Sequence, residues 1–300
     1  NNLSISNGNS ILLPGASAAS LAISGSTLSV VGGNSVILPS GSGWGLTGNS
    51  ATTPTLNFIG TTDSIPLVFK TNNYPSGIID PAGPVFIGYK AGSANTTTSS
   101  TGIGHKALFS NTIGDQNTAI GAGAMFSNID GSENTAVGWW SMYHNTSGLF
   151  NTATGKMSLF NNSQGSSNTA IGAFALEANT NGNSNTALGA DALAANSTGS
   201  FNTASGAGAM LSNSTGQYNT ANGYQALLSN TSGSYNAGFG KGSLFTNTTG
   251  SENAALGLDA LFSNTTGNQN AAGGAYALYS NTTGGNNAAF GYVALSGNTS

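Results

Sequence analysis

One asparagine recurs at a constant step from Asn117 to Asn287, at 117, 134, 151, 168, 185, 202, 219, 236, 253, 270 and 287, with no slip in spacing. A glycine follows each by four residues (Gly121 to Gly291), a Leu or Met by eight (Met125 to Leu295) and a second asparagine by eleven (Asn128 to Asn298). A period this strict means one structural unit stacked on copies of itself, because each unit is too small to bury its apolar face alone.

Composition narrows the choice. Charged residues make up 5% of the 300, with five lysines and no arginine, against about 25% in ordinary domains. Chains rich in Gly, Ser and Asn often bury too little to fold. A disordered linker, however, has no need to hold Leu or Met at one phase through eleven copies. The net charge of −4 and the scarcity of cations offer no basic patch and speak against nucleic acid. No apolar run approaches a membrane span, and with no cysteine there are no disulfides or thiolate metal sites. The chain opens at Asn1 without a signal-like segment and stops inside a repeat at Ser300, which reads as a piece of a longer protein.

Three segments are expected. Residues 1–43 carry a looser 25-residue repeat, in which Leu3-Ser4-Ile5 and Gly8–Pro14 match Leu28-Ser29-Val30 and Gly33–Pro39. Each copy reads as two short β segments around a Gly-Asn turn, closed by proline. Residues 44–84 do not repeat. They read as a β connector, with strands at Thr55–Gly60 and Ile65–Lys70, a turn over Asn72–Gly77, and Pro81 and Pro84 at its close. Residues 85–300 form the array, which starts with degenerate copies: Gly88, Gly104 and Gly121 are spaced by 16 and then 17.

Numbered from the first asparagine, the unit reads N-T-A-φ-G-x-x-A-L-x-x-N-T-T-G-x-x. Asn-Thr-Thr-Gly, as in Asn247–Gly250, has the letters of a type I turn, with a glycine suited to positive φ and an asparagine able to bond backbone two residues on. Gly and Asn recur too often for a continuous helix, and short strands fit between the corners. The expected fold is therefore all-β, a fibrous solenoid or roll of 17-residue coils. In-register stacking at about 4.8 Å would place the Leu/Met column inside and turn the asparagines into ladders.

That core is thin. Ordering a residue costs on the order of 1–2 kcal/mol, and two large apolar groups per coil contribute roughly 1.5–3 kcal/mol each. Association of several chains along the axis would supply further burial, which points to a homotrimeric shaft able to extend into longer filaments. Position 10 holds Phe126, Tyr143, Phe160, Leu211, Leu228, Phe245, Phe262 and Tyr279, but also Glu177, Ala194 and Ser296. An apolar majority that tolerates exceptions fits an inter-chain seam; the alternative is an aromatic stripe partly covering a single chain.

Runs such as Asn168-Thr169-Ala170-Ile171-Gly172 and Ala226–Gly233, together with the connector Trp44–Asn49, Phe58–Asp63 and Pro66–Lys70, resemble repeats of bacterial trimeric surface-fibre and phage tail-fibre-like proteins. The repeat also resembles the β-roll heads of trimeric autotransporter adhesins, whose coils are shorter. The resemblance implies an exported homotrimeric β-rich fibre, on a cell surface or as a virion appendage.

Little in the letters speaks for catalysis, and no cofactor or metal is expected. His105 and His144 stand at different phases, and Asp115, Asp130, Glu133 and Glu252 lie near the turn after the second asparagine. Asp130 and Glu133 are the one pair that could meet, as a polysaccharide-processing β-helix enzyme would need. Calcium-binding solenoids carry Asp in every turn, and this array does not. Asn-x-Ser/Thr sequons at Asn145, Asn196, Asn213, Asn230, Asn247, Asn264, Asn281 and Asn298 fit glycosylation, but turn chemistry explains the same letters. The threonines from Thr118 to Thr220 would line up in a flat column able to order ice, cut short where Ala237, Ala254, Ala271 and Ala288 replace them, as a sheltered position would also permit. The expected function is a structural and adhesive extracellular spacer. Trp139, Trp140 and Tyr143 are the candidate contact patch toward surface glycans, with inter-chain packing as their other role, and an ice- or glycan-lattice binder is the alternative.

Overall fold

The computed structural model describes residues 59–300 throughout and, of what precedes them, three strands. The chain divides into two compact units, Asn1–Gly60 and Thr61–Ser300.

In the first unit, β1 (Leu21–Ser24), β2 (Thr27–Val30) and β3 (Ser35–Ile37) form an antiparallel sheet in that order. Leu28 pairs with Val36, so the second copy of the 25-residue repeat supplies two antiparallel strands, one on each side of Gly33-Asn34. The first copy, over 3–14, lies outside the described residues, as do residues 55–58 of the strand expected at Thr55–Gly60; its last two residues, Ile59 and Gly60, form a bend.

The second unit is built on one 15-stranded sheet. It starts with an antiparallel pair, β4 (Leu67–Thr71) and β5 (Tyr74–Ile79), whose register shifts between Phe69 and Lys70. The turn expected over 72–77 is confined to Asn72 and Asn73, both at positive φ. Tyr74 onward is strand, because the two asparagines already reverse the chain and free the following residues to pair. β5 then pairs antiparallel with β6 (Val85–Ile87), which binds the hairpin to the array. From β6 on every pairing is parallel, through β7 (Thr101–Ile103) and β8 (Thr118–Ile120) to β18 (Ala288–Phe290). The register is one coil per strand: Thr118 faces Thr135, Ala119 faces Ala136 and Ile120 faces Val137. The protein is thus an all-β solenoid of 17-residue coils.

Each coil contributes one three-residue strand at positions 2–4 and irregular backbone elsewhere, yet the backbone is bonded to its neighbours well beyond the strands. Thr118 N–H donates to Asn134 C=O at 2.9 Å, Met125 N–H to Ser141 at 3.0 Å and Ser127 N–H to Tyr143 at 2.9 Å, while Gly121 N–H donates back to Ile103 C=O at 2.7 Å. Leu or Met at position 9 is buried from Leu108 to Leu278, beside small residues at position 3 and Ala or Ser at position 8. Ser141 and Ser158, which stand in for that alanine, share a hydroxyl contact of 3.0 Å.

Two asparagine ladders complete the interior. Asn134 Nδ2 donates to Asn117 Oδ1 of the previous coil and to Gly148 C=O; Asn145 Nδ2 donates to Asn128 Oδ1 at 2.7 Å. Among the described residues no buried side-chain N or O lacks a partner, which is what makes an interior this rich in amide tolerable.

The turn after the second asparagine differs from the type I form. The N–H groups of Ile129, Asp130 and Gly131 converge on one carbonyl of the next coil, that of Thr146, at 3.0, 3.2 and 3.2 Å. The asparagine side chain reaches three residues on, Asn128 Nδ2 to Gly131 C=O at 2.8 Å. The glycine there is required for space: a Cβ on Gly131 would lie 2.5 Å from Asn128 Oδ1 and 2.7 Å from Gly148 O. Positive φ falls instead at Gly121 (135°) and its counterparts, and at positions 7, 9 and 17, as in Trp140 (57°), Leu193 (52°) and Glu133 (57°). Left-handed backbone at a non-glycine costs roughly 1–2 kcal/mol, and it persists where neighbouring coils over-determine the conformation.

Candidate functional site

Positions 6, 7 and 10 follow the Gly121-type corner and point away from the Leu/Met column. Stacking therefore turns each into a column on one flank. Position 10 is half-buried and stacks within the chain: Phe109 on Phe126 at 5.0 Å, Phe126 on Tyr143 at 4.9 Å, Phe245 on Phe262 at 4.8 Å. These spacings are close to the strand spacing itself, so the rings find partners inside one chain. Exposed apolar residues fall at position 4, including Ile120, Ile171, Leu188 and Leu256, with Phe290 at 76% exposure, and at position 17, where Phe201, Tyr218 and Tyr235 stack. At position 4, toward the C-terminal end, Phe239, Leu256 and Phe290 line a recess of about 620 Å³ with Ala237, Ala254 and Gly273.

Trp139, Trp140 and Tyr143 come together. The indoles stack at 4.1 Å, Trp140 lies 5.5 Å from Tyr143 and 5.9 Å from Phe160, and His144 stands edge-on to Tyr143 at 4.8 Å. With His105, Lys106, Ala122, Gly123 and Phe126 they line a cleft of about 350 Å³. The cleft exists because positions 6 and 7 are small in a coil whose two neighbours are bulky there: Ala122-Gly123 sits between His105-Lys106 before and Trp139-Trp140 after. A Cβ on Gly123 would approach Trp140 Cδ1 to 2.6 Å. His105, weighed from the sequence only as a catalytic group, and Lys106 were not expected beside the indoles, although subtracting two periods from Trp139 and Trp140 gives them directly.

Charge is separated around the cleft, though farther along Glu177 at position 10 and Asp191 and Asp259 at position 7 stand on the same flank as the lysines. Lys90, Lys106, Lys156 and Lys241, four of the five lysines, occupy positions 6 and 7, and both histidines lie on the same flank at positions 6 and 11. Between residues 88 and 161 the carboxylates Asp115, Asp130 and Glu133 all occupy turn positions 14–17. A weak basic flank that a linear reading dismissed is therefore assembled by stacking. Lys156 Nζ lies 5.3 Å from the Trp139 ring and 5.0 Å from Phe174, and Lys106 Nζ 5.8 Å from Phe109.

The remaining candidates fall elsewhere. Asp130 and Glu133 are not buried in their turn, and among the described residues no three of His, Cys, Asp and Glu group as metal ligands would. The sequon asparagines from Asn145 to Asn281 are buried, with their amides in the ladder, so the folded chain offers these side chains to no transferase. The threonines do align, Thr118 to Thr220, but they face outward beside position 4, and so do the alanines that replace them from Ala237. Shelter therefore does not explain that change. No described helix is long and apolar enough to cross a membrane.

The chain matches no protein-family model, no curated protein and no solved structure with which it was compared.

Proposed function

We propose that this chain is a structural and adhesive shaft of an extracellular fibre, without catalysis, in which the coils act as spacer and the Trp139–Trp140–Tyr143 cleft touches surface glycans. One observation carries the reading: a stack whose interior is saturated by its own ladders presents an open aromatic cleft on an otherwise repetitive flank. Indole faces suit the C–H faces of sugar rings, and a preformed cleft limits the ordering cost of binding. The fibre-like letters of the repeat support the same reading.

We propose further that the shaft is a homotrimer. The exposed apolar residues of position 4 (Ile120, Ile171, Leu188, Phe239, Leu256 and Phe290), interrupted by Thr154, Ser205, Asn222 and Gly273, are the surface that best supports this, since position 10 already has partners within the chain. Light scattering should give three times the 29.6 kDa chain mass, and a stable monomer would sink the trimer. On a glycan array the chain should bind saccharides, and Trp139→Ala should abolish binding without unfolding it, because alanine already stands at position 6 in Ala122, Ala173 and Ala190.

One observation favours a second reading. Thr118 to Thr220 form an in-register outward column beside position 4 on a parallel sheet, a regular lattice of hydroxyls and methyls suited to ordered water. Thermal hysteresis would reveal it; its absence leaves the adhesive reading.

A further inference from the structure

We infer that the cleft at Trp139 and Trp140 takes an acidic saccharide, one bearing a uronate, sialate or sulfate group. The inference rests on the proposal that this cleft is a glycan contact, and it goes further in naming the charge. The reason is the company the indoles keep. Lys106 and His105 form one wall of the cleft, and Trp139 and Trp140 the other. The two walls are two coils apart, about 10 Å at the usual strand spacing. Lys156 sits beyond, over the Trp139 ring at 5.3 Å. A ring bound between the walls would thus have the Lys106 cation in the cleft itself, with Lys156 behind the indole.

A neutral sugar would need the stacking face and hydrogen bonds only. Here a chain that spends 5% of its residues on charge places Lys90, Lys106, Lys156 and both histidines on the flank around the cleft, where the first carboxylate along that flank is Glu177 at position 10, two coils beyond Trp139; Asp115, Asp130 and Glu133 stand in the turns. Packing does not demand this: position 6 holds Ala173, Ala190 and Ala207 in later coils, and position 7 holds Gly208 and Gln225. The ring contacts also hold the Lys106 and Lys156 ammonium groups in place, so less side-chain freedom is lost when an anion binds. Single-stranded nucleic acid uses the same two elements, stacking and cations. It is less well served here, because phosphate binding is built on dense Lys and Arg, and the chain has a net charge of −4 and no arginine.

The test titrates the intact chain by calorimetry with oligogalacturonate, with its methyl ester and with an oligothymidylate. The uronate should bind, and the ester, which keeps the ring and loses the charge, should bind about tenfold more weakly, the scale of one charge-assisted contact. Salt should weaken the uronate alone. Lys106→Gln should bring uronate binding down to the ester's level; glutamine is compatible with the position, since Gln225 occupies it with φ 55°. Lys241→Gln, far along the chain on the same flank, should change nothing. Ala122→Tyr, which fills the notch with a residue found at the same position in Tyr89 and Tyr224, should abolish binding of both sugars. Equal affinity for ester and acid, or an unaltered Lys106→Gln, overturns the acidic class and leaves the glycan contact standing. Failure of both sugars overturns the contact itself, and preference for the oligothymidylate overturns the saccharide.

Discussion

The carboxamide of Asn196 uses both of its N–H groups and its oxygen. Its Nδ2 donates to Asn179 Oδ1 and to Gly199 C=O, both at 2.9 Å, and its Oδ1 accepts from Asn213 at 2.8 Å. Asn196→Ala leaves buried groups unpaired on both sides and should cost about 1–3 kcal/mol in urea unfolding. Asn196→Asp should cost more at neutral pH, since it brings a carboxylate into a buried site beside the carbonyl of Gly199. Burial raises the folded pKa of such an acid above its unfolded value of about 3.9. The penalty is therefore absent below that value and grows as pH rises above it, so acidification should restore part of the lost stability. A variant that is indifferent to pH would refute the ladder geometry. The column itself was legible in the letters, because a polar residue held at one phase must meet its own copies. The glycine three residues on was legible as a turn residue but not for its actual reason. Its requirement is the space a Cβ would take from the neighbouring coil, and that depends on a contact one full period away.

Within a coil the elements are minimal: one three-residue strand, a corner at Gly121 or its counterpart, and left-handed backbone at positions 7, 9 and 17. No local propensity favours leucine at the φ of 52° that Leu193 adopts. The conformation comes from the neighbour, and for that reason the three left-handed positions could not be read from the sequence. The cleft was half legible for the same cause: Trp139 and Trp140 stand out as letters, but their opposite wall, His105 and Lys106, lies two coils back. If coils are interchangeable modules, removing one whole coil, Asn185–Phe201, joins Ser184 to Asn202 in unbroken phase and should leave the far-ultraviolet spectrum per residue unchanged. Removing about half a coil, Asn185–Leu193, sets position 17 against position 10 and should collapse the fold beyond the cut. Equal tolerance of both deletions would show that register does not matter.

At the scale of the whole stack, each coil touches only its two neighbours, and stability is a sum of coil and interface terms. Deleting three coils, Asn185–Tyr235, should lower the denaturant slope of unfolding by about three times the amount lost with one, because that slope follows the surface exposed. A slope that stays constant would mean that the array does not unfold as one body.

Both amide ladders also run in one sense. Donors reach back to the Oδ1 of the preceding coil: Nδ2 from Asn111 onto Asn95 through Asn298 onto Asn281 in one ladder, and the backbone N–H from Asn134 onto Asn117 through Asn287 onto Asn270 in the other, joined in most coils by Nδ2 as in Asn134. Backbone bonds run both ways between coils: in the coil from Asn117 the N–H groups of Thr118, Met125, Ser127, Ile129, Asp130 and Gly131 reach forward and those of Gly121, Gly123 and Glu133 reach back, whereas the side-chain donors of the ladders all reach back. The stack therefore has a direction, and its two faces differ: the ladders turn side-chain N–H groups toward the N-terminus and Oδ1 acceptors toward the C-terminus. Two such stacks joined end to end would be drawn head to tail, and a growing filament would lengthen with a built-in direction.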